Sequence, residues 1–283
     1  MEILERVEDV RAASRRAKAR GERVVLVPTM GYLHEGHLTL VRRARELGRF
    51  VVVSIFVNPT QFGPQEDLDR YPRDMEGDAA RCREEGVDVV FAPTVAEMYP
   101  DGYQTYVTVE RLSQPLCGAS RPGHFRGVAT VVAKLFHMVE PDVAVFGEKD
   151  FQQLQVIRRM VRDLNMGVEI VGVPTVREPD GLAMSSRNAY LDPDERRRAL
   201  ALSQALDRAQ ERVAAGERRS EEVLRAVREV LDEAAVRVDY AELRDPESLE
   251  PVERVEGPTL LALAGFVGQT RLIDNRVLRA PGG

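Results

Sequence analysis

The sequence has few cysteines and no long apolar stretch, and both shortages limit what the protein can be. Its two cysteines, Cys82 and Cys117, form no CxxC pair and no disulfide framework, which favours a reducing compartment. No apolar run reaches the roughly 18 residues that indicate a transmembrane helix. The charged N-terminal stretch also lacks the apolar core of a secretory signal. We therefore expect a cytoplasmic protein with no membrane partner.

The chain also lacks an excess of positive charge, with 40 lysine and arginine residues against 46 acidic ones. The 283-residue chain carries a formal net charge of −6, whereas nucleic-acid-binding proteins usually have a basic surplus. We therefore expect no nucleic-acid partner. Lysine is scarce too, with only Lys18, Lys134 and Lys149. Lys149 falls in a glycine-containing segment and is therefore a candidate site residue.

Apolar runs alternate with amphipathic stretches through the first half of the chain. Helices are predicted at residues 2–20, 37–48, 74–85, 127–139 and 150–164, and strands at 23–28, 50–57, 87–91, 143–146 and 168–173. Continuous apolar strands are typical of a parallel sheet covered on both faces. The βαβα order predicts a doubly wound, Rossmann-like α/β domain, which we place at residues 1–178.

The pattern changes after residue 174. Residues 193–233 are predicted to form two helical stretches, and residues 236–243, 259–266 and 271–275 short strands, with proline and glycine between them. We therefore predict a smaller α+β C-terminal domain at residues 179–283, acting as a lid over a nucleotide-binding N-terminal domain.

The segment PTMGYLHEGHLTLVRRA starts at residue 28, where the first predicted strand ends and a helix begins. Ligands of open α/β sheets bind beyond the carboxyl ends of the strands, and a helix N-terminus suits phosphate. Gly31 and Gly36 permit close backbone approach. His34 and His37 can face the same phosphates and stabilise charge that develops there. A helix cap or a metal site is the plainer alternative, but no third ligand stands out and we predict no protein-held metal.

Two further segments follow predicted strands. FVNPTQFGPQEDLDRYPRD carries Asn58 and Gln61, whose amides bind carboxylates and hydroxyls without adding charge; an ordinary turn capped by the asparagine is the alternative. FGEKDFQQL places Gly147 at a strand end, Lys149 where it can pair with phosphate, and Asp150 where it can bind ribose. The alternative for Lys149 and Asp150 is a surface ion pair at a helix start.

The segment REPDGLAMSSRNAYL lies near the predicted domain boundary. Its small polar side chains and Arg187 could close over a triphosphate, since an arginine fork suits phosphate. A helix-capping loop is the alternative, because serine and asparagine are common in caps. A loop at a boundary is free to move, as a lid requires.

Together these segments resemble the pantothenate synthetase family over nearly the whole chain. HEGH is similar to the HxGH signature of the wider nucleotidyltransferase superfamily, and MSSR to the KMSKS loop of the related synthetases. FVNPTQFGPQEDLDRYPR, RPGHFRGVATVV, FGEKDFQQL and VREPDGLAMSSRN are much more specific, and they occur in the family's order and spacing.

The resemblance implies an ATP-dependent ligase of pantothenate biosynthesis, in the coenzyme A pathway. (R)-pantoate and ATP would give pantoyl-adenylate and pyrophosphate, and β-alanine would then give pantothenate and AMP. The resemblance also implies Mg²⁺ on the ATP phosphates and a homodimer. Catalytic roles map to His34, His37, Lys149 and Arg187, with the proton-donor role on His37. Nucleotide contacts map to Met30, Gly31, His34, His37, Gly147, Lys149, Asp150, Val176, Met184, Ser185, Ser186 and Arg187. Contacts with pantoate or β-alanine map to Asn58, Gln61 and Gln153.

Three other functions fit part of the pattern. An aminoacyl-tRNA synthetase fragment would share HEGH and MSSR, but it needs a tRNA-binding surface that this acidic chain does not offer. An enzyme that adenylylates a phosphate-bearing substrate would need more cations than Asn58, Gln61 and Gln153 provide. A catalytically inactive nucleotide sensor would have no reason to keep the histidine pair. Labelled tRNA binding and pyrophosphate release separate these alternatives.

Overall fold

The computed structural model describes residues 1–64 and 66–280. The chain divides into two compact units. The first consists of Met1–Ser113, Arg121–Glu148 and Gln153–Pro174, and the second of Gln114–Ser120, Lys149–Gln152 and the chain from Thr175 onward. We refer to them as the first unit and the second unit.

A six-stranded sheet forms the centre of the first unit. Its strands are β1 (Glu2–Leu4), β2 (Val24–Thr29), β3 (Phe50–Ile55), β4 (Val89–Phe91), β5 (Val143–Gly147) and β6 (Glu169–Val173). They lie in the order β1-β4-β3-β2-β5-β6, and every neighbouring pair is parallel. The chain winds outward from β2 in one direction through β3 and in the other through β5. The predicted doubly wound α/β architecture is confirmed.

Up to residue 163, the described part of the chain has five helices at positions that overlap the predicted ones and two further short helices, at Val95–Met98 and Cys117–Ser120, that were not predicted. They are α1 (Val7–Ala19), α2 (Glu35–Leu47), α3 (Met75–Glu84), α4 (Val95–Met98), α5 (Cys117–Ser120), α6 (His124–Val139) and α7 (Phe151–Asp163). Most side chains of α6 are buried, because this helix is apolar around nearly its whole circumference. Short 3-10 turns at Pro59–Gln61 and Glu148–Asp150 follow the ends of β3 and β5.

The prediction of one helix over residues 2–20 was wrong at its start. Glu2–Leu4 form β1 and pair in parallel with Val89–Phe91. The backbone N–H of Glu2 donates to the Asp88 carbonyl at 2.9 Å, and that of Ala92 to the Leu4 carbonyl at 2.8 Å. The edge of the sheet satisfies these backbone groups, and this distant partner overrides the local helical pattern.

The second unit contains a three-stranded antiparallel sheet of β7 (Arg237–Arg244), β8 (Thr259–Val267) and β9 (Thr270–Leu278). Helices α8 (Pro193–Ala199), α9 (Ala201–Ala214) and α10 (Ser220–Glu233) precede it. Leu206, Val227 and Leu261 lie fully buried in one core cluster of the helices and sheet. The predicted smaller α+β fold is therefore confirmed. No helix in the described part of the chain is both long and apolar enough to span a membrane.

Candidate active site

The histidine pair lies where β2 gives way to α2. Gly31 and Tyr32 both have left-handed backbone, with φ of 81° and 51°, and this turn leads into His34 at the N-cap of α2. The imidazole rings of His34 and His37 lie against each other with their centroids 4.0 Å apart and their planes tilted by 31°. The structure thus brings the two predicted histidines together at a helix N-terminus, a position that favours a bound anion.

The hydrogen bond of His37 indicates which ring nitrogen carries its proton. The backbone N–H of His34 donates to His37 Nδ1 at 3.3 Å. An amide N–H can only donate, so Nδ1 is the acceptor and the neutral ring carries its proton on Nε2. Nε2–H is then the donor that His37 can offer to a phosphate oxygen.

Asn58 is buried, with an exposed fraction of 1%, and both ends of its side-chain amide form hydrogen bonds. Its Oδ1 accepts from the Tyr99 hydroxyl at 2.8 Å and from the Thr60 hydroxyl at 2.9 Å. Burial raises the pKa of Tyr99 to about 12, so this phenol keeps its proton at neutral pH. The Nδ2 of Asn58 donates to the Gly127 carbonyl at 3.2 Å and to Gln61 Oε1 at 3.1 Å.

These contacts fix the orientation of the Gln61 amide. The Thr60 backbone N–H, 3.4 Å from Asn58 Oδ1, can only donate, and the Gly127 carbonyl can only accept, so the two ends of the Asn58 amide cannot be exchanged. Asn58 therefore donates to Gln61, and the facing atom of Gln61 is Oε1. Gln61 Nε2 points away from Asn58 and lies 3.3 Å from Met30 Sδ. A thioether is a weak acceptor, which a substrate oxygen would readily replace.

The RPGH segment holds the backbone of Gln61. His124 Nδ1 lies 2.9 Å from the Gln61 carbonyl and must donate to it, which leaves Nε2 to accept from Arg121 at 3.1 Å. Arg121 also makes a two-point contact with Glu66, at 2.6 and 2.7 Å. Arg121 and His124 therefore position Gln61, a role that the sequence did not assign to them.

Gly127 lets helix α6 approach the Pro59–Gln61 turn. A Cβ atom at this position would lie 2.6 Å from the Thr60 carbonyl carbon and 2.7 Å from Gln61 Cα, and closer still to the Thr60 oxygen. Real Cβ contacts are not this short, and backbone cannot move aside as a flexible side chain can. Glycine is therefore required at residue 127 for the observed packing.

The Glu66–Arg121 pair makes stability depend on pH. Burial by itself would raise the pKa of Glu66, but the hydrogen bonds and charge of Arg121 hold that pKa below its usual value. A depressed carboxyl pKa stabilises the folded state above the unfolded pKa of about 4.5, and this stabilisation is lost as the pH falls through the folded value. Relative to Glu66→Gln, we expect about 1 kcal/mol of extra unfolding free energy at pH 7 and a smaller difference at pH 3, which lies below the unfolded pKa of glutamate. Urea unfolding at both pH values measures it, and a difference that does not change with pH would contradict the assignment.

Gly147 and Gln153 are the other predicted binding residues of the first unit. Gly147 ends β5, and a Cβ atom there would meet nothing within 4 Å, so the space beside this strand end is open. Gln153 lies in α7 and is partly exposed. The amide of the neighbouring Gln152 contacts the Cys117 N–H and the Pro115 carbonyl, at 3.1 and 2.7 Å. Gln152 is thus engaged within the second unit.

Lys149 and Asp150 begin the part of the second unit that follows β5. Lys149 Nζ lies 3.9 Å from Asp150 Oδ2, a distance at which an ion pair between such side chains contributes little. The Lys149 backbone carbonyl accepts from Asn275 Nδ2 at 2.8 Å. Lys149 also lines a hollow of the second unit together with Ser185, Asn188 and Asp274. Its backbone is thus anchored independently of its ammonium group.

The MSSR loop combines a cap with several polar contacts. Ser185 is the N-cap of a 3-10 turn at Ser186–Tyr190, and its hydroxyl accepts from the Arg187 backbone N–H at 3.3 Å. The Met184 N–H donates to the Val176 carbonyl at 3.0 Å. The capping role that we considered as an alternative is thus realised at Ser185, and nucleotide contacts there stay a prediction.

The same loop is fixed from the side of Asn188. Asn188 Nδ2 donates to Glu178 Oε1 at 2.7 Å and to the Ala183 carbonyl at 3.0 Å. Arg177 forms a two-point ion pair with the buried Asp274, at 2.6 and 2.9 Å. The Met184 and Asn188 bonds thus hold the start and the end of the MSSR loop, and the Arg177–Asp274 pair anchors the segment that precedes it, all within the second unit. Across residues 1–64 and 66–280, no group of three or more His, Cys, Asp or Glu side chains could hold a metal ion.

Comparison with known proteins decides the family. The family model described as pantoate-beta-alanine ligase matches residues 2–277. The chain belongs to the pantoate–β-alanine ligase family. It is 60% identical over 280 residues to the pantothenate synthetase of Syntrophobacter fumaroxidans, covering 99% of each chain. It is 59% identical over 279 residues to that of Myxococcus xanthus, covering 98% of this chain and 96% of the relative.

Solved structures of pantoate–β-alanine ligases match the fold as well. Pantothenate synthetase from Thermus thermophilus has a TM-score of 0.94 at 53% identity, over 98% of this chain and 99% of that one. Pantoate-β-alanine ligase from Francisella tularensis, complexed with β-γ ATP and β-alanine, has a TM-score of 0.82 at 31% identity, over 98% and 97%. The predicted family is confirmed, and the protein is an enzyme with pantoate–β-alanine ligase function.

The sequence analysis assigned no role to several residues that position the site of this pantoate–β-alanine ligase. Tyr99, Arg121, His124 and Gly127 act on Asn58 or Gln61 only through contacts between residues distant in sequence. No local pattern indicates this role for Tyr99 or Gly127. The RPGH motif was the available signal for Arg121 and His124, because it lies at the start of a helix.

Proposed function

We propose that the enzyme condenses (R)-pantoate with β-alanine through a pantoyl-adenylate. A pantoate carboxylate oxygen attacks the α-phosphorus of ATP, and the bond to pyrophosphate breaks. The amine of β-alanine then attacks the acyl carbon, the bond to AMP breaks, and the nitrogen loses a proton to give pantothenate. Adenylation converts a poor leaving group into AMP, and the second step needs mainly proximity.

The observation that carries this proposal is the orientation of Gln61. Its Nε2–H group is aimed, by Asn58, at a point beside Met30, which directly precedes the turn into the histidine pair. An uncharged donor fixed there suits a carboxylate that must remain nucleophilic, because a cation would hold its electrons more tightly. Asn58 thus serves by orienting Gln61, and its predicted substrate contact and that of Gln153 remain part of the proposal.

The catalytic assignments follow the chemistry of the groups. In the first unit, His34 and His37 stabilise the negative charge that develops on the phosphates, with His37 donating from Nε2. Lys149 and Arg187, in the second unit, supply positive charge of the kind that binds phosphate. For the remaining nucleotide contacts we retain Met30, Gly31, Gly147, Asp150, Val176, Met184, Ser185 and Ser186.

The Francisella tularensis relative supports ATP and β-alanine as substrates, since its structure is a complex with β-γ ATP and β-alanine. We further propose that Mg²⁺ arrives on the ATP phosphates, because Mg²⁺ often keeps phosphate and water ligands in place of an all-protein cage. We also propose that the enzyme is cytoplasmic and forms a homodimer.

Isotope labelling tests the adenylate directly. Pantoate carrying ¹⁸O in its carboxylate is turned over with ATP and β-alanine, and the products are analysed by mass spectrometry. The proposal predicts one labelled oxygen in AMP, one in pantothenate and none in pyrophosphate. Label in inorganic phosphate, with ADP as the nucleotide product, would replace the adenylate by an acyl phosphate.

Gln61→Ala should weaken pantoate binding more than ATP binding. The lost hydrogen bond to a charged group is worth about 1.5–3 kcal/mol. Gln61→Glu should be worse, because Asn58 still orients the side chain but a carboxylate oxygen then faces the substrate carboxylate. The KM for each substrate is measured in steady state, with the exposed Gln104→Ala as the matched control. Equal effects on the two KM values would remove Gln61 from the pantoate site.

A further inference from the structure

Asp78, on helix α3, is a buried carboxylate that the mechanism so far does not use. Its exposed fraction is 1%. One carboxylate oxygen accepts from the Tyr32 backbone N–H at 2.7 Å and the other from the Leu33 N–H at 2.6 Å. Arg81 is its nearest cation, 3.9 Å away. Both carboxylate oxygens of Asp78 therefore accept hydrogen bonds from the backbone just before His34.

The turn that Asp78 holds is an unusual one. Gly31 and Tyr32 are both left-handed, and tyrosine adopts this conformation only at a cost. A Cβ atom on Gly31 would lie 2.9 Å from Asp78 Oδ2 and 2.9 Å from Ile55 Cγ2. Successive N–H groups converge in such a turn and form a concave site for an anion. The carboxylate of Asp78 fills this concavity from within the protein.

The next N–H group along the chain links this turn to the histidine pair. After Tyr32 and Leu33, the His34 N–H donates to His37 Nδ1 at 3.3 Å. The direction of that N–H is set by the same turn. If Tyr32 and Leu33 rotate, the His34 N–H turns away, and His37 loses the bond that places its proton on Nε2.

Ionisation of Asp78 does not by itself stabilise the folded protein. Burial raises the pKa of Asp78, against the lowering effect of the Leu33 and Tyr32 N–H groups. A carboxyl whose folded pKa exceeds its unfolded value lowers the unfolding free energy once the pH exceeds the unfolded pKa. Ionised Asp78 thus reduces stability at neutral pH, as groups kept for activity often do.

We propose that Asp78 is a positioning residue for the reaction, because it fixes the turn at Gly31–Leu33 and so keeps the His37 proton on Nε2. The structural part of this inference stands on the ligand-free protein. Its kinetic part rests on the proposed function, in which His37 Nε2–H meets the phosphates.

Asp78→Asn tests the inference with little change in shape. The amide offers one acceptor, and its NH₂ group faces a backbone donor, so the turn must shift. Long-range ¹H–¹⁵N spectra report which imidazole nitrogen carries the proton, and the chain has only four histidines, with His37→Gln giving the assignment. We expect His37 to show Nε2–H in the wild type and a mixture of tautomers in Asp78→Asn. His137 should be unmoved.

The matched control is Glu76→Gln, which removes one exposed charge from the same helix and should leave the spectra unchanged. An unchanged His37 tautomer in folded Asp78→Asn overturns the proposal. Should that variant not fold, Asp78→Asn combined with Tyr32→Gly takes its place, since glycine adopts the left-handed backbone freely.

Kinetic measurements separate a positioning role of Asp78 from a general loss of structure. In Asp78→Asn we expect pyrophosphate release from ATP and pantoate to slow by about tenfold or more, in kcat and not in the KM for ATP. The reaction of supplied pantoyl-adenylate with β-alanine should stay within about twofold. Equal losses in both half-reactions would overturn the kinetic part. A wild type that releases no pyrophosphate would refute the proposed function, while the spectra would still decide the role of Asp78.

Discussion

Lys149→Ala is expected to slow adenylate formation by at least about a hundredfold, roughly 2.7 kcal/mol in barrier. The ammonium group is the part that matters, because the backbone of Lys149 is anchored separately through its carbonyl to Asn275. Truncation therefore removes a charge without releasing the segment. The remaining contact, with Asp150 at 3.9 Å, is too long to restrain the ammonium in place of a phosphate.

Single-turnover pyrophosphate release measures the effect of Lys149→Ala without interference from product release. Lys18→Ala is the matched control, because Lys18 is a surface lysine paired with Asp142 at 2.9 Å and has no assigned role. Lys149→Arg should fall between the wild type and the alanine variant, since it keeps the charge in a different shape. An unchanged single-turnover rate in Lys149→Ala would remove this residue from the catalytic set.

Gly127→Ala is the second change with a large expected effect. The added methyl group would lie 2.7 Å from Gln61 Cα, so either α6 or the Pro59–Gln61 turn must move. We expect a loss of about 1–3 kcal/mol in unfolding free energy. We also expect a drop of about a hundredfold in kcat/KM for pantoate, because a small misplacement of a positioning group is costly.

Gly167→Ala controls for the generic effect of replacing glycine. A Cβ atom at Gly167 meets nothing within 4 Å, so this variant should retain both stability and pantoate use. Thermal unfolding and pantoate titrations of the folded variants measure the two effects separately. A Gly127→Ala enzyme with the wild-type KM for pantoate would show that the approach of α6 does not position Gln61.

The sheet could be predicted because its signal is local. Continuous apolar runs such as residues 50–57 are typical of buried parallel strands, and the structure has β3 at Phe50–Ile55. Strand β1 could not be predicted in the same way. Its three residues pair with Val89–Phe91, which lie far along the chain, and their own pattern fits the start of a helix.

The residues of the candidate site differ in the same way, because some follow from local sequence and others only from the tertiary structure. His34 and His37 stand three residues apart at a helix start, so their approach follows from helix geometry. Asp78 belongs to a stretch that carries no motif, and its partners at Tyr32 and Leu33 are 46 and 45 residues away. Gly127 shows the same limit, because its small size matters only where α6 meets the Pro59–Gln61 turn. The roles of such residues depend on tertiary packing, which the local spacing of residues does not reveal.

Pyrophosphate release from MgATP and (R)-pantoate, with and without β-alanine, tests the central claim most directly. A two-step ligase should release a burst of about one equivalent per site with pantoate alone, because the adenylate stays bound, and should turn over steadily once β-alanine is added. No release under either condition would contradict the assignment of pantoate as the acid that this enzyme activates.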